Sequence, residues 1–392
     1  MNFRVVFYCP DRHITYDGRT PEELGVGGGI SARIRMAEAL QRAGNDVTMV
    51  VNCETQVVVR NVLYVPLDEM DSLDADVLIL NTSGDQLDLS PAMAMPMKAK
   101  IRAVWLHGSI HPGGLESLSP DIVYAVSNFI RDVAVDGWGV PAERLFVIYN
   151  SFDSRLYSEL EAEKIDRDPY RLIYFSHPSK GLDPTLSLLR ALREDNPHYH
   201  LRVFGGYALW GDTREVNVRA DGVDNRGLVG QSELIREIRQ STYSIHLQTL
   251  AESGSLAIFE AMRGGCVLLA SPVGCFPEYI SHKRTGFLIE GDPNASSVIR
   301  CTADVIKGLT KNPEALSRIR IESQAIVWGS DIMAMVWMRH WRWWLEGKPT
   351  PSTRCTVCEG AGLVLEDGFH CCNCGMYQER SNRQFILERN GI

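Results

Sequence analysis

The sequence has 392 residues, 45% apolar and 23% charged, with a formal net charge of −9. At roughly 150 residues per domain this is enough for two or three domains with sizeable cores, and the acidic balance argues against a nucleic-acid or anionic-membrane binder. No apolar run reaches the ~18 residues that span a bilayer. The early run Val5-Val6-Phe7-Tyr8 reads as a strand rather than a signal peptide, so a cytoplasmic protein is expected, with peripheral membrane contact left open.

In chain order, 3–9 is a continuous apolar run suited to a buried parallel strand. The segment 31–43 has helical periodicity through Ile34, Ala37 and Leu40, and Gly44-Asn45 stops it. Further strands are expected at 46–52, 76–81, 101–106, 122–126 and 145–149, with a helix over 128–136. Strands separated by helices imply a parallel sheet covered on both faces. A polar stretch, 158–168, reads as a connection, and the pattern then restarts: strands at 172–175, 201–204, 243–247 and 267–270, helices at 184–193, 233–239 and 255–263. The second of these strands ends in Gly205-Gly206. The fold class is therefore α/β, with two doubly wound, Rossmann-like domains whose ligand is expected at the C-terminal strand ends, in the cleft between them. The segment 315–345 reads as one long helical stretch in which Trp337, Trp341 and Trp344 form a packing stripe. The expected domains are 1–160, 161–330, a helix at 331–348 packing back on the first domain, and a tail at 349–392.

The most informative segment is Glu252-Ser-Gly-Ser-Leu-Ala-Ile-Phe-Glu260. If a helix begins at Ser253 to Ser255, its free N–H groups make an anion site, and Gly254 lets a phosphate approach the backbone. Eight residues advance ~12 Å at helical rise, comparable to the span from a ribose through a diphosphate to a sugar ring. One carboxylate can then accept from ribose hydroxyls and the other from sugar hydroxyls. By spacing alone, two solvated glutamates remain the competing reading. Gly25-Val-Gly27-Gly28-Gly29 does not set up a dinucleotide turn, because it lies about sixteen residues beyond the first strand. Asp74-Ala-Asp76 precedes its strand and reads as a solvated turn rather than a metal-holding pair.

This segment resembles the E-x7-E motif of retaining GT-B glycosyltransferases, particularly family 4. Cys266-Val-Leu-Leu-Ala-Ser-Pro-Val-Gly274, Pro277-Glu278 and Gly286-Phe287-Leu288 continue that pattern. Gly27-Gly28-Gly29, Ala43 to Val47, Trp105-Leu106-His107-Gly108, Ala125 to Phe129, Ile148 to Asp153 and Lys180-Gly181-Leu182 resemble other family segments in the same order, over roughly residues 3–345. The resemblance implies a hexosyltransferase-type enzyme moving a sugar from a nucleotide-sugar donor, with retention and without a catalytic metal. It implies His107, Lys180 and Glu252 as catalytic residues and Gly28, Gly29, Gly205, Gly254, Ser255, Leu256 and Glu260 as donor-binding. Glu260 would hold the ribose, Glu252 the donor sugar, Lys180 and the helix start the phosphates, and His107 would sit beside the transferred sugar, with His111 a weaker candidate. The sequence departs from the pattern in lacking an Arg before Lys180, where Phe175-Ser176-His177-Pro178-Ser179 stands, and in Ser253-Gly254 following the first glutamate. Either Ser176 and His177 substitute for that Arg, or Lys180 acts alone. A nucleotide-sugar epimerase-like enzyme and a non-catalytic binding module are the alternatives. The acceptor is not encoded in any readable pattern.

Of the ten cysteines, Cys9, Cys53, Cys266, Cys275 and Cys301 read as reduced core or near-core residues. Cys355-x2-Cys358 and Cys371-x2-Cys374, twelve residues apart, have the spacing of two zinc knuckles. With 362–369 between them as a hairpin, the tail is expected to be a small zinc ribbon holding a structural ion, with Cys372 as an alternative to Cys371. From residue 349 onward there are four arginines, no lysine and five acids. That balance argues against nucleic acid and leaves protein contact, acceptor recognition or homodimerisation as the ribbon's role.

Overall fold

A computed structural model describes residues 2–83, 87–216 and 218–346, without the Trp343 side chain, together with the backbone of three short strands at 362–364, 368–371 and 377–379. The chain divides into two compact units, one of 1–19, 29–151 and 328–392, the other of 20–28 and 152–327.

The first unit is built on eight strands: β1 (Arg4–Tyr8), β2 (Asp46–Val51), β3 (Val57–Val59), β4 (Val62–Pro66), β5 (Leu73–Asn81), β6 (Met97–Leu106), β7 (Ile122–Ala125) and β8 (Leu145–Val147). Their spatial order is β3-β4-β2-β1-β5-β6-β7-β8. All neighbours run parallel except β3 and β4. The central strands are apolar on both faces, with Val5, Phe7, Val77, Ile79, Ile101 and Val104 fully buried, as a parallel sheet covered by helices requires. The β3–β4 hairpin was not anticipated. Its turn residues Arg60 and Asn61 both have positive φ (46° and 61°), the backbone of a two-residue turn that matches strand twist. The Arg60 guanidinium anchors it by donating to the Gly18 carbonyl at 2.8 Å and to Glu38 at 2.9 Å. Asp74 and Asp76 lie within β5 rather than in a turn, because the strand starts at Leu73. Asp74 pairs with Arg4, and Asp76 accepts from the Arg4 backbone and pairs with Lys100.

The second unit contains β9 (Asp168–Ser176), β10 (His200–Gly205), β11 (Val223–Gly227), β12 (Ser241–His246), β13 (Val267–Ala270) and β14 (Phe287–Leu288). They form one parallel sheet in the order β11-β10-β9-β12-β13-β14. Leu172, Leu201, Tyr243, Ile245, Val267 and Leu269 form its core with Leu188 and Ile306 from the flanking helices. Four of the five isolated cysteines are buried, but Cys301 is exposed, because it falls on the outer side of the helix Ser296–Thr310. Among the described residues no helix is long and apolar enough to cross a membrane.

The expected single stretch 315–345 is two helices, Pro313–Ala325 and Ser330–Leu345. Their apolar sides belong to different units, so the chain must break between them. Asn312 caps the first by accepting from the Ala315 N–H at 3.1 Å, and Gly329 precedes the second. Of the tryptophan stripe, Trp337 and Trp341 pack inward and are fully buried, while Trp344 is only partly buried. Trp337 stacks on Tyr124 and meets Trp105 edge-on, both at 4.8 Å, and Trp341 meets Phe3 edge-on at 5.5 Å. In the tail, β15 (Gly362–Val364), β16 (Gly368–Cys371) and β17 (Tyr377–Glu379) form an antiparallel sheet that includes the expected hairpin.

Trp337 is fully buried against the rings of Phe7, Trp105, Tyr124 and Trp341. Trp337→Ala is expected to destabilise the first unit by about 3–5 kcal/mol, read by denaturant unfolding. A loss below about 1 kcal/mol would show that the returning helix is not needed for that core.

Candidate active site

Glu252 lies on the loop that follows β12, and Glu260 lies within the helix Leu256–Arg263. That helix starts one residue later than expected. Ser255 is its cap, with its hydroxyl accepting from the Ile258 N–H, while Ser253 and Gly254 form a bend ahead of it. Glu260 is buried, its Oε1 accepting from Gln231 Nε2 at 2.7 Å and its carbonyl from the Tyr157 hydroxyl at 2.8 Å. A buried carboxylate fixed in this way presents one defined direction for further donors such as vicinal hydroxyls.

Lys180 follows β9, and its ammonium donates to Glu252 Oε1 and Oε2 at 3.1 and 2.8 Å. Two glycines hold these loops in place. Gly181 has φ +97°, and a Cβ there would overlap the Leu247 carbonyl oxygen at the end of β12. Gly274, at φ +57°, packs against the Glu252 backbone, and the Cys275 N–H donates to the Glu252 carbonyl at 2.8 Å. Gly205 ends β10 at φ +88°, where a Cβ would stand 2.7 Å from the Ser176 carbonyl. The run beginning at Gly25 also packs in this unit: Gly27 lies against the Leu209 carbonyl and Gly28 in ordinary contact with Leu256.

Beside Lys180 and Glu252 stand Trp210 and His246, which carry no sequence signal of their own, and His177, one of the two residues offered in place of the missing Arg. Trp210 stacks on His177 with centroids 3.6 Å apart, and the Lys180 ammonium lies 5.7 Å from the Trp210 ring centre. His177 Nδ1 accepts from the Ser179 N–H at 3.3 Å and lies 2.7 Å from the Ser179 hydroxyl. This is the stretch in which an arginine was missing, and it is aromatic rather than simply cationic. His246, 5% exposed, bonds Ser244 through Nε2 at 2.8 Å. Burial, aided by Lys180 and opposed by Glu252, pulls its pKa down to about 4, so the ring is neutral at physiological pH.

In the first unit, His107 follows β6 with its ring edge-on to Trp105 at 4.2 Å. Its Nε2 is shielded from solvent and has no hydrogen-bond partner among the described residues. Burial, reinforced by Arg33, pulls its pKa down to about 3. Arg33, on the helix Gly28–Arg42, is fully buried and donates to both oxygens of Asp11 at 2.9 and 3.0 Å, and also to the Ser83 hydroxyl. It further touches the Gly29 carbonyl at 3.4 Å, and a Cβ on Gly29 would stand 2.7 Å from that of Ser83. Arg33 and Asp11 were not anticipated as part of this region. His111 is engaged by Glu116 at 2.8 Å. Of the expected metal ligands, Cys355, Cys358 and Cys374 lie outside the described residues, and only the backbone of Cys371 is described, in β16.

The architecture is shared with solved structures. Anabaena HepE in complex with UDP-glucose matches with a TM-score of 0.58 at 18% identity, covering 86% of this chain and 99% of that one. AviGT4, a glycosyltransferase involved in avilamycin A biosynthesis, matches at 0.61 and 15%, covering 88% and 99%. A glycosyltransferase from Rickettsia africae matches at 0.60 and 14%, covering 89% and 100%. These likenesses define the class of fold: two parallel-sheet domains of the GT-B type. Residues 161–322, which carry Lys180, Glu252 and Glu260, match the family model of glycosyl transferases group 1. No curated protein sequence matches the chain.

An unfolded histidine titrates near ~6.5, and His246 in the folded chain near about 4. Between these values the unfolded chain binds a proton that the folded chain refuses, so stability is complete above about pH 6.5 and falls as pH drops toward 4. His246→Gln is expected to reduce that slope by up to ~1.4 kcal/mol per pH unit. Denaturant unfolding from about pH 7 to about pH 5 measures it, and an unchanged slope would show that His246 is not held neutral.

Proposed function

We propose that this protein is a glycosyltransferase that moves a sugar from a nucleotide-sugar donor, with UDP-linked hexoses the first donors to test. The observation that carries the reading is the meeting of Lys180 with Glu252, on a loop that leads into the helix bearing the buried Glu260, all within the segment that matches the group 1 family. HepE, bound to UDP-glucose in its own structure, supports uridine as the first base.

In this reading Glu260 accepts from the ribose hydroxyls and Gln231 fixes its orientation. Lys180 and the N–H groups around Gly254, Ser255 and Leu256 face the diphosphate, with Gly205 and Gly28 lining the donor and Gly29 beside it. Glu252 accepts from hydroxyls of the donor sugar, and His107, a neutral imidazole, hydrogen-bonds the sugar being transferred. The bond from the anomeric carbon to the diphosphate oxygen breaks as the acceptor oxygen bonds to the same face of that carbon. The acceptor's proton passes to the departing phosphate oxygen, giving retention. Charge that accumulates on the diphosphate is met by Lys180 and the helix start, so catalysis is electrostatic and needs no divalent cation. The unit holding β1 to β8 would serve the acceptor and the unit holding β9 to β14 the donor. Cys355, Cys358, Cys371 and Cys374 would hold a structural zinc in a closed four-thiolate shell, and the ribbon would serve protein contact or acceptor recognition.

Calorimetric titration with UDP, GDP, ADP and their sugar conjugates, in chelator, tests the donor reading. One base is expected to bind, and Glu260→Ala to weaken it by about 1–3 kcal/mol. Full affinity in that variant removes Glu260 from the site, and no binding by any nucleotide removes the function. The tail is tested by metal analysis: one zinc per chain is expected, lost when Cys355 and Cys358 are both changed to Ser. A double variant that retains its zinc would sink the ribbon site.

A further inference from the structure

Lys180 and Glu252 are committed to each other, and the surrounding loops leave neither an easy retreat. The pair is partly buried, with side-chain exposures of 22% and 13%. Gly181 is pressed against the Leu247 carbonyl and Gly274 against the Glu252 backbone, so neither main chain can withdraw without moving a strand end. Trp210, backed by His177, stands beside the ammonium, and the neutral His246 adds no charge of its own. Any ligand whose phosphates recruit Lys180 must therefore take it from Glu252, leaving a half-buried carboxylate that needs new donors.

We propose that the Lys180–Glu252 ion pair makes the site selective for a nucleoside diphosphate sugar over the free nucleoside diphosphate. The proposal rests on the donor reading above and adds to it a basis for discrimination. A sugar conjugate supplies its own replacement: as the diphosphate draws Lys180 away, sugar hydroxyls donate to the Glu252 oxygens that the ammonium leaves. The exchange conserves hydrogen bonds on both partners. A free nucleoside diphosphate brings no hydroxyls to that position, and its terminal phosphate carries more negative charge than one esterified to a sugar. It either competes with Glu252 for Lys180 or strands the carboxylate beside a like charge. The same pair that admits the donor thus disfavours the spent nucleotide, which assists product release.

The test is calorimetric titration of the full chain with UDP, GDP and ADP, each paired with its glucose conjugate. Glu252→Gln preserves the size of the side chain but cannot hold the ammonium as an ion pair. For the base that binds, this variant is expected to bind the free diphosphate about three- to tenfold more tightly and the sugar conjugate more weakly, so the preference collapses. In a Lys180→Met background the same substitution is expected to give no gain for the free diphosphate. Equal weakening of both ligands by Glu252→Gln, or a gain that persists without Lys180, would overturn the proposal. Absence of binding by wild type to any of the six ligands would instead strike the donor reading itself. If the Gln variant does not fold, Glu252→Asp, which draws the carboxylate back by one methylene, is expected to shift the two affinities in the same directions.

Discussion

A guanidinium with no exposure to water can remain charged only if another group meets it, and in the first unit Asp11 does so with both oxygens. The cost of leaving either partner alone there is several kcal/mol, so the pair is made wherever the unit is folded. It also fixes geometry. Asp11 follows β1, Ser83 follows β5, and Gly29 lies in the first turn of the helix that carries Arg33, so one side chain ties two loops to a helix start at the same end of the sheet. The Tyr16 ring, 5.3 Å from the guanidinium carbon, closes the remaining side. His107, at the end of the next strand, is held neutral partly by the same charge.

The second unit uses an ion pair differently. Lys180 and Glu252 are more exposed than Arg33 and Asp11, and Lys is a compact charge on a flexible stem rather than a rigid fork. The two pairs thus differ in what they fix. One is buried deeply enough to be permanent and keeps loops in register. The other lies near enough to solvent to be exchanged, while its backbone is locked by Gly181 and Gly274 so that only side chains move.

The two sheets were legible in the sequence because buried parallel strands are continuous apolar runs, and β1, β13, the 77–80 run of β5 and the 172–175 run of β9 stand out as such. Short elements were harder to see. Val57–Val59 and Val62–Pro66 form a hairpin whose signal is two β-branched stretches flanking Arg60-Asn61, and β11 is polar along most of its length. The break between Ala325 and Ser330 was hidden because both flanking helices are amphipathic, and periodicity does not report that their faces serve different cores. At the site, Lys180, Glu252 and Glu260 were singled out by their order along the chain, yet spacing holds no record that Lys180 reaches Glu252 from 72 residues away. Arg33 carries no sequence signal of its own. Its burial depends on Asp11, 22 residues earlier, and on no local pattern. His246 ends a strand of mixed polar and apolar residues, where no spacing marks it out, and Trp210 acquires meaning only through the ring it stacks on.

The route of the chain has a consequence for the order in which the molecule assembles. The helix Ser330–Leu345 belongs to the first unit, yet it is encoded after the whole of the second. As the chain leaves the ribosome, Phe3, Phe7, Trp105 and Tyr124 emerge early and then wait for the returning helix while residues 152–327 of the second unit are made. The second unit, nearly continuous from 152 to 327, has all but a short piece of its chain in one stretch and can close as soon as it emerges. The domain that starts first therefore finishes last, and its nascent aromatic surface is where a chaperone, or an aggregate, would find it.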